Sequence, residues 1–269
     1  MTYLSRIRIN PLRAEAGKLL ANPHAMHGAV SGGVPGHPGA ERILWRLDAD
    51  NPYRPSLLVL TVTKPDWTHI VEQAGWPDAE GEHVTVRDYA PLLEQVARGR
   101  EFAFRLTAHP VQNTYSPTKP TPAQAAALAP DADGKRPRGL RMSHRTAAAQ
   151  LQWLLARTER WGFDIPASRT DEPAPGLAFT PCEEETEDTG GSARDPGPAR
   201  EVRITSRRRH SFAKKGRGAN VTLRTATFEG RLRVTDPAAF TERLLGGIGP
   251  SKAYGCGLLT LAPLAGRSR

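Results

Sequence analysis

Two histidines, His24 and His27, stand three residues apart in the run NPHAMHGAV. At that spacing both imidazoles fall on one side of a helical turn. The unperturbed pKa of histidine lies near neutrality, so one ring can take a proton while the other gives one. Two imidazoles can also begin a zinc site. That requires a third ligand, and the chain carries neither an HExxH run nor cysteines at paired spacing. A third reading is that the pair merely positions a ligand.

Residues 246–261 read GGIGPSKAYGCGLLTL and place five glycines around one lysine, Lys252, ahead of an apolar run. Glycines let backbone N–H groups come close to a ligand, and such loops attract anions. The stretch is not a Walker A motif, because no Gly-Lys-Ser/Thr triplet occurs at the required spacing. Nor is it a dinucleotide fingerprint, since it precedes a strand and does not open a helix. It reads as a surface for a phosphate backbone, with Gly247, Gly249 and Lys252 as contacts, or as a tight packing element between the last helix and the last strand. Cys256 within it reads as a small buried hydrophobe.

Positive charge is concentrated nearby. Residues 200–235 hold eleven Lys/Arg against two Glu, a net of +9, as much as the whole chain of 269 residues. The run 206–218, SRRRHSFAKKGRG, reads as a basic turn between strands, with Arg207, Arg208, Arg209, Lys214 and Lys215 as phosphate contacts. Arg141 and Arg145 extend that surface, and Arg138 does so more weakly. His210 lies inside the basic run and reads as solvent-facing. The preceding stretch, CEEETED at 182–188, reads as part of a solvated spacer.

Two α+β units are expected to position these groups. In the first, residues 4–9 alternate, with Ile7 and Ile9 on one face and Arg6 and Arg8 on the other. A short helix is expected around 24–30, strands at 43–47 and 57–62, a helical turn at 66–73, a helix at 89–97, and a fourth strand carrying Phe102, Phe104 and Leu106. The order β-α-β-β-α-β is the ferredoxin-like pattern. Residues 110–139, rich in Pro, Ala and Gly, read as a linker. A long helix follows over 143–162, with its arginines largely away from the apolar face. Strands are expected at 202–205, 221–228 and 231–234, then a helix capped by Asp236, then a strand at 258–261. The fold class is therefore α+β, two tandem ferredoxin-like domains at 1–112 and 138–269, joined by a linker at 113–137.

Composition narrows the function. A pI near 10.0 points to a polyanionic partner. Aromatic residues are only 6%, too few for a surface built on base stacking, and the RNP1 pattern is absent. No apolar run spans a bilayer and no secretory leader is visible, so no membrane partner is expected. Two lone cysteines make no disulfide framework, and a reducing cytoplasm is the expected location.

Several of these segments resemble the CasE family, the repeat-RNA endoribonucleases of type I-E CRISPR effector complexes (Cascade). They are TYLSRIRINPLR, NPHAMH, KPDWTHI, EFAFRLTAHPV, LARTERWGF and, most specifically, FEGRLRVTDPAAFTERLLGGIGPSKAYGCGLLTL. The resemblance implies two ferredoxin-like domains and a nuclease that needs no metal or other cofactor. It implies cleavage of the CRISPR repeat at the 3′ base of its hairpin, with the crRNA then kept in Cascade. His27 matches the family's catalytic histidine. His24 falls where members commonly carry tyrosine, a departure that leaves its role open between acid–base partner and RNA positioner. The alternatives are a scaffold that binds the hairpin without cutting it, a metal-dependent nuclease, and a basic protein bound to nucleic acid without specificity.

Overall fold

A computed structural model describes residues 1–36, 41–77, 81–117, 119–129, 139–168, 199–213 and 220–264. Lys214, Lys215, Arg138 and the acidic stretch 182–188 lie outside the described residues.

The first unit runs β1 (Tyr3–Arg8), α1 (Ala14–Ala21), α2 (Pro23–Gly32), β2 (Leu44–Asp48), β3 (Ser56–Thr61), α3 (Thr68–Ala74) and β4 (Val84–Asp88). Its sheet has the order β2-β3-β1-β4, with every neighbouring pair antiparallel. That is the split βαβ order of a ferredoxin-like unit. Ile7 and Ile9, read as the inward face of β1, are buried with Met26 and Val30 of α2. The alternation of β1 and the helical spacing of Met26 and Val30 together make this core.

A short helix α4 (Ala90–Leu93) leads to β5 (Glu101–Ala108), followed by β6 (Val111–Thr114), α5 (Pro122–Leu128), β7 (Leu140–Ser143) and α6 (Ala147–Leu155). Then come β8 (Phe163–Asp164), β9 (Val202–Ala213), β10 (Asn220–Val234), α7 (Pro237–Gly246) and β11 (Leu259–Ala262). The second sheet has the order β11-β5-β10-β8, with β9 also on β10. Taking β5, β9, β10 and β11 as the four principal strands gives the ferredoxin-like order again. Phe104, Leu106, Phe228 and Leu232 pack under Trp153, Leu154 and Phe240 from the two helices. The structure is thus two tandem ferredoxin-like units.

The sequence expectations need several corrections. The strand carrying Phe102, Phe104 and Leu106 is not the fourth of the first unit. It is β5, which pairs with β10 and β11 and opens the second unit. The fourth strand of the first sheet is β4, so the break between sheets falls between β4 and β5 and not at residue 112. The helix expected at 89–97 shrinks to the four residues of α4. The presumed linker stretch, 110–139, holds all of β6 and all of α5, and β6 pairs with β7 to form a two-stranded sheet inserted into the second unit. The long helix expected over 143–162 stops at Leu155, and a 3-10 turn follows at Glu159–Trp161. Finally, residues 206–213 are not a turn. They continue β9, so their side chains alternate across the sheet.

Candidate nucleic-acid interface

Helix α2 is built to present its histidines. Asn22 caps it, its side-chain oxygen accepting from the N–H of His24 at 2.9 Å, and Pro23 takes the first position. Pro23, Met26 and Val30 are buried. His24 and His27 lie beside that face and are half-buried. The Nδ1 of His27 is buried and has no hydrogen-bond partner among the described residues. Burial first, then the neighbouring His24, holds the pKa of His27 below the ordinary histidine value.

The helix does not stand alone. It packs against a 3-10 turn, Lys252–Tyr254, at the centre of the glycine-rich loop. The structure therefore brings together the two segments singled out in the sequence, although more than 200 residues separate them. Both loop readings have a physical counterpart. At Gly247, with φ +75°, a β-carbon would lie 2.6 Å from Leu44 Cδ2 and 2.9 Å from Lys252 Cε. At Gly255, with φ +78°, it would fall 2.7 Å from the Trp45 ring. Leu44 and Trp45 belong to β2, so the glycines let this loop seat directly on the first unit. The loop is a packing element between the units, and Lys252 stands on it.

Lys252 also faces a groove of about 650 Å³ on the second unit. Its lining includes Arg141, Arg157, Arg160, Arg243, Gly247 and Gly249. The guanidiniums of Arg157 and Arg160 lie 5.2 and 5.6 Å from the ring centres of the buried Trp153 and Trp161, which fixes their orientation. Among the described residues, no carboxylate pairs with Arg141, Arg157, Arg160 or Lys252, and Arg243 pairs only with Glu242 at 3.3 Å. Burial, then Arg42 and Arg243, pulls the Lys252 pKa below its ordinary value. Burial, then Arg160, does the same to Arg157. Clustered cations without counter-charges repel one another, and a polyanion relieves that repulsion.

The other sequence-predicted residues lie elsewhere. Arg207 turns toward α6, where its Nε donates to Gln150 Oε1 at 2.9 Å and a terminal nitrogen donates to the carbonyl of Arg145. It ties β9 to α6. Arg208 and His210 sit on the opposite side of β9, in a cleft against Met26, Trp45 and Tyr254. His210 is half-buried there, and not solvent-facing as its sequence setting implies. Arg209 and Arg145 are exposed. Sequence reading did not single out Arg157, Arg160 or Arg243. The usable signal was the spacing of Arg157 and Arg160 from Trp153 and Trp161, four and one residues away.

Taken together, fold and site define a tandem ferredoxin-like protein in which a helix bearing two imidazoles packs on a loop whose lysine lines a groove suited to a polyanion. A family model described as CRISPR associated protein matches residues 2–263, and the chain belongs to that family. The CRISPR-associated endoribonuclease Cse3 of Thermus thermophilus is 30% identical over 264 residues, covering 97% of this chain and all of that protein. The Cascade subunit CasE of Escherichia coli is 47% identical over 49 residues, 18% of this chain and 25% of that protein. Among solved structures, Cse3 bound to a 19-nucleotide RNA superposes with a TM-score of 0.65 at 28% identity, over 97% of this chain and 99% of that one. No helix among the described residues is long and apolar enough to cross a membrane.

Proposed function

We propose that this protein is a crRNA-processing endoribonuclease that binds the CRISPR repeat hairpin, cuts at the 3′ base of its stem without a metal, and keeps the product as a subunit of Cascade. The observation that carries this reading is the packing of α2, with His24 and His27, against the turn that bears Lys252 at the edge of the cationic groove. The full-length likeness to Cse3, named as an endoribonuclease, supports it. So does the superposition on a Cse3 complex with an RNA representing a pre-cleavage state, with a TM-score of 0.64 at 27% identity.

In this reading His27 takes the proton of the 2′-hydroxyl, and that oxygen attacks the adjacent phosphorus. The bond from phosphorus to the 5′ oxygen breaks. His24, or a water beside it, returns a proton to the leaving oxygen. Lys252 and the groove arginines stabilise the extra negative charge on the phosphorane. The products are a 2′,3′-cyclic phosphate and a 5′-hydroxyl. Arg141, Arg145 and Arg209 hold the stem from one side of β9 and Arg208 contacts it from the other, with Lys214 and Lys215 as further phosphate contacts, while Gly247 and Gly249 leave the floor open to backbone.

The test is a repeat hairpin with a single 2′-deoxy sugar just 5′ of the cut, compared in EDTA with its all-ribose counterpart. The expected result is cleavage of the all-ribose strand alone, with both strands bound equally well. Cleavage of the deoxy strand, or loss of all activity in EDTA, would overturn the mechanism. Binding of both strands with cleavage of neither would instead identify a scaffold.

A further inference from the structure

Lys252 stands next to a residue whose backbone is under strain. Ser251 has φ +65° and ψ +31°, and it is the one non-glycine residue with positive φ among those described. A side chain with a β-carbon rarely adopts that conformation, and glycine takes it freely. The loop uses glycine at 247, 249, 255 and 257, each with positive φ, yet carries serine at 251. A hydroxyl held where glycine would be easier points to a use for that hydroxyl.

The hydroxyl has a partner. Ser251 Oγ lies 2.9 Å from Nδ1 of His109, which follows directly on β5 and is 7% exposed. The other ring nitrogen, Nε2, lies 2.8 Å from Ser143 Oγ at the end of β7. One imidazole thus bridges two segments far apart in the chain. Ser143 sits two residues after Arg141, and Ser251 sits one residue before Lys252. Arg141 and Lys252 both line the cationic groove. The neighbouring backbone supports the same joint, with the N–H of His144 donating to Pro110 at 3.0 Å and that of Gly257 to Thr107 at 2.8 Å. Burial, then Arg141, pushes the His109 pKa down to about 4, so the bridge is neutral at physiological pH and adds no further repulsion to the groove.

We propose that His109 is the positioning residue of the groove, its ring bridging Ser143 and Ser251 so that Arg141 and Lys252 are held at one spacing for the RNA backbone. This rests on the reading of the groove as the RNA site. His109 does not touch the reacting atoms. It acts through the two segments it joins.

The test measures hairpin affinity against salt concentration, alongside thermal stability, for wild type and for the variants His109→Leu, Ser251→Gly, Lys252→Ala and Arg141→Ala. Ser251→Gly removes the anchor and the strain together. It is expected to be at least as stable as wild type yet to bind the hairpin about tenfold more weakly, with a salt slope shallower by about one ion. His109→Leu is expected to weaken binding at least as much, and the double variant no further. Should His109→Leu fail to fold, Ser251→Gly carries the test alone, because a purely structural role would leave its affinity unchanged. Wild-type affinity and salt slope in Ser251→Gly would overturn the proposal, provided Lys252→Ala and Arg141→Ala do weaken binding. If those two also bind normally, the groove reading fails and the bridge loses its purpose with it.

Discussion

The guanidinium of Arg46 reaches out of the first unit and donates to the main-chain carbonyl of Leu258 at 3.1 Å, one residue beyond the last glycine of the loop. The same nitrogen donates to the carbonyl of Arg105 at 2.8 Å, and the rest of the fork grips Asp48 through two bonds of 2.7 and 2.8 Å. Arg46 is 2% exposed, so β2 is bolted to β5 and to the strand that follows the loop. Alpha-helix α2 packs on one side of that joint and the groove opens from the same loop. The register of the two units therefore sets where the imidazoles lie relative to the cations. Replacing Arg46 by Met takes the bidentate partner from Asp48, which keeps only Arg105 at 3.8 Å, and removes the donor to the carbonyls of Leu258 and Arg105. A loss of about 3–5 kcal/mol of stability is expected in urea unfolding. A loss below about 1 kcal/mol would mean that the joint is held by other contacts.

The glycine loop makes a sharper comparison. Gly255→Ala drives a methyl group to within 2.7 Å of Trp45 at a φ of +78°. Strain and overpacking together are expected to cost about 2–4 kcal/mol. At Gly246, on the end of α7, an added β-carbon meets nothing within 4 Å and φ is not positive. Gly246→Ala is expected to be neutral or to stabilise by up to about 1 kcal/mol. Thermal melts of the two variants decide it, and equal effects would contradict the packing role assigned to the loop.

Arg157 and Arg160 should report on RNA through salt. Each phosphate contact releases counterions, so Arg157→Ala and Arg160→Ala are each expected to flatten the log–log salt dependence of hairpin affinity by about one unit. Arg203→Ala is the control, since Arg203 pairs with Glu229 at 3.3 Å and lies outside the groove. A change in the control as large as in the groove variants would remove the special status of the groove.

The pH dependence follows from the depressed pKa of His27. A histidine held below 6.5 is neutral at pH 7 and ready to accept a proton. Single-turnover cleavage is therefore expected to fall about tenfold per unit once the pH drops below the His27 pKa. The linkage has the same direction. The unfolded chain binds that proton more readily, so this residue's contribution to stability is complete above 6.5 and is lost as the pH falls toward the folded value. A rate that rises on acidification would assign His27 the role of acid.

Much of this was legible in the residues, for identifiable reasons. The three-residue spacing announced two histidines on one helical face, because that signal is local. Strand β5 was equally plain as a strand, since all four of its inward residues are buried. Its sheet was not legible, because alternation reveals a face and says nothing of the neighbour. The true fourth strand, β4, was hidden by its place at the sheet edge, where its valines are only half-buried and no position is fully enclosed. The arginines of β9 masked its alternation, for both faces of Arg207–Arg209 carry charge. The groove arginines come from separate places, β7, the segment and turn after α6, and α7, and only the tertiary packing assembles them.

The most direct measurement is single-turnover cleavage of a repeat hairpin by His27→Ala, with RNA affinity determined on the same preparation. The account predicts a rate lower by about 10²–10⁴-fold, the usual range for losing a general acid or base, with binding essentially intact. Cleavage at the wild-type rate by a variant that folds and binds normally would contradict it.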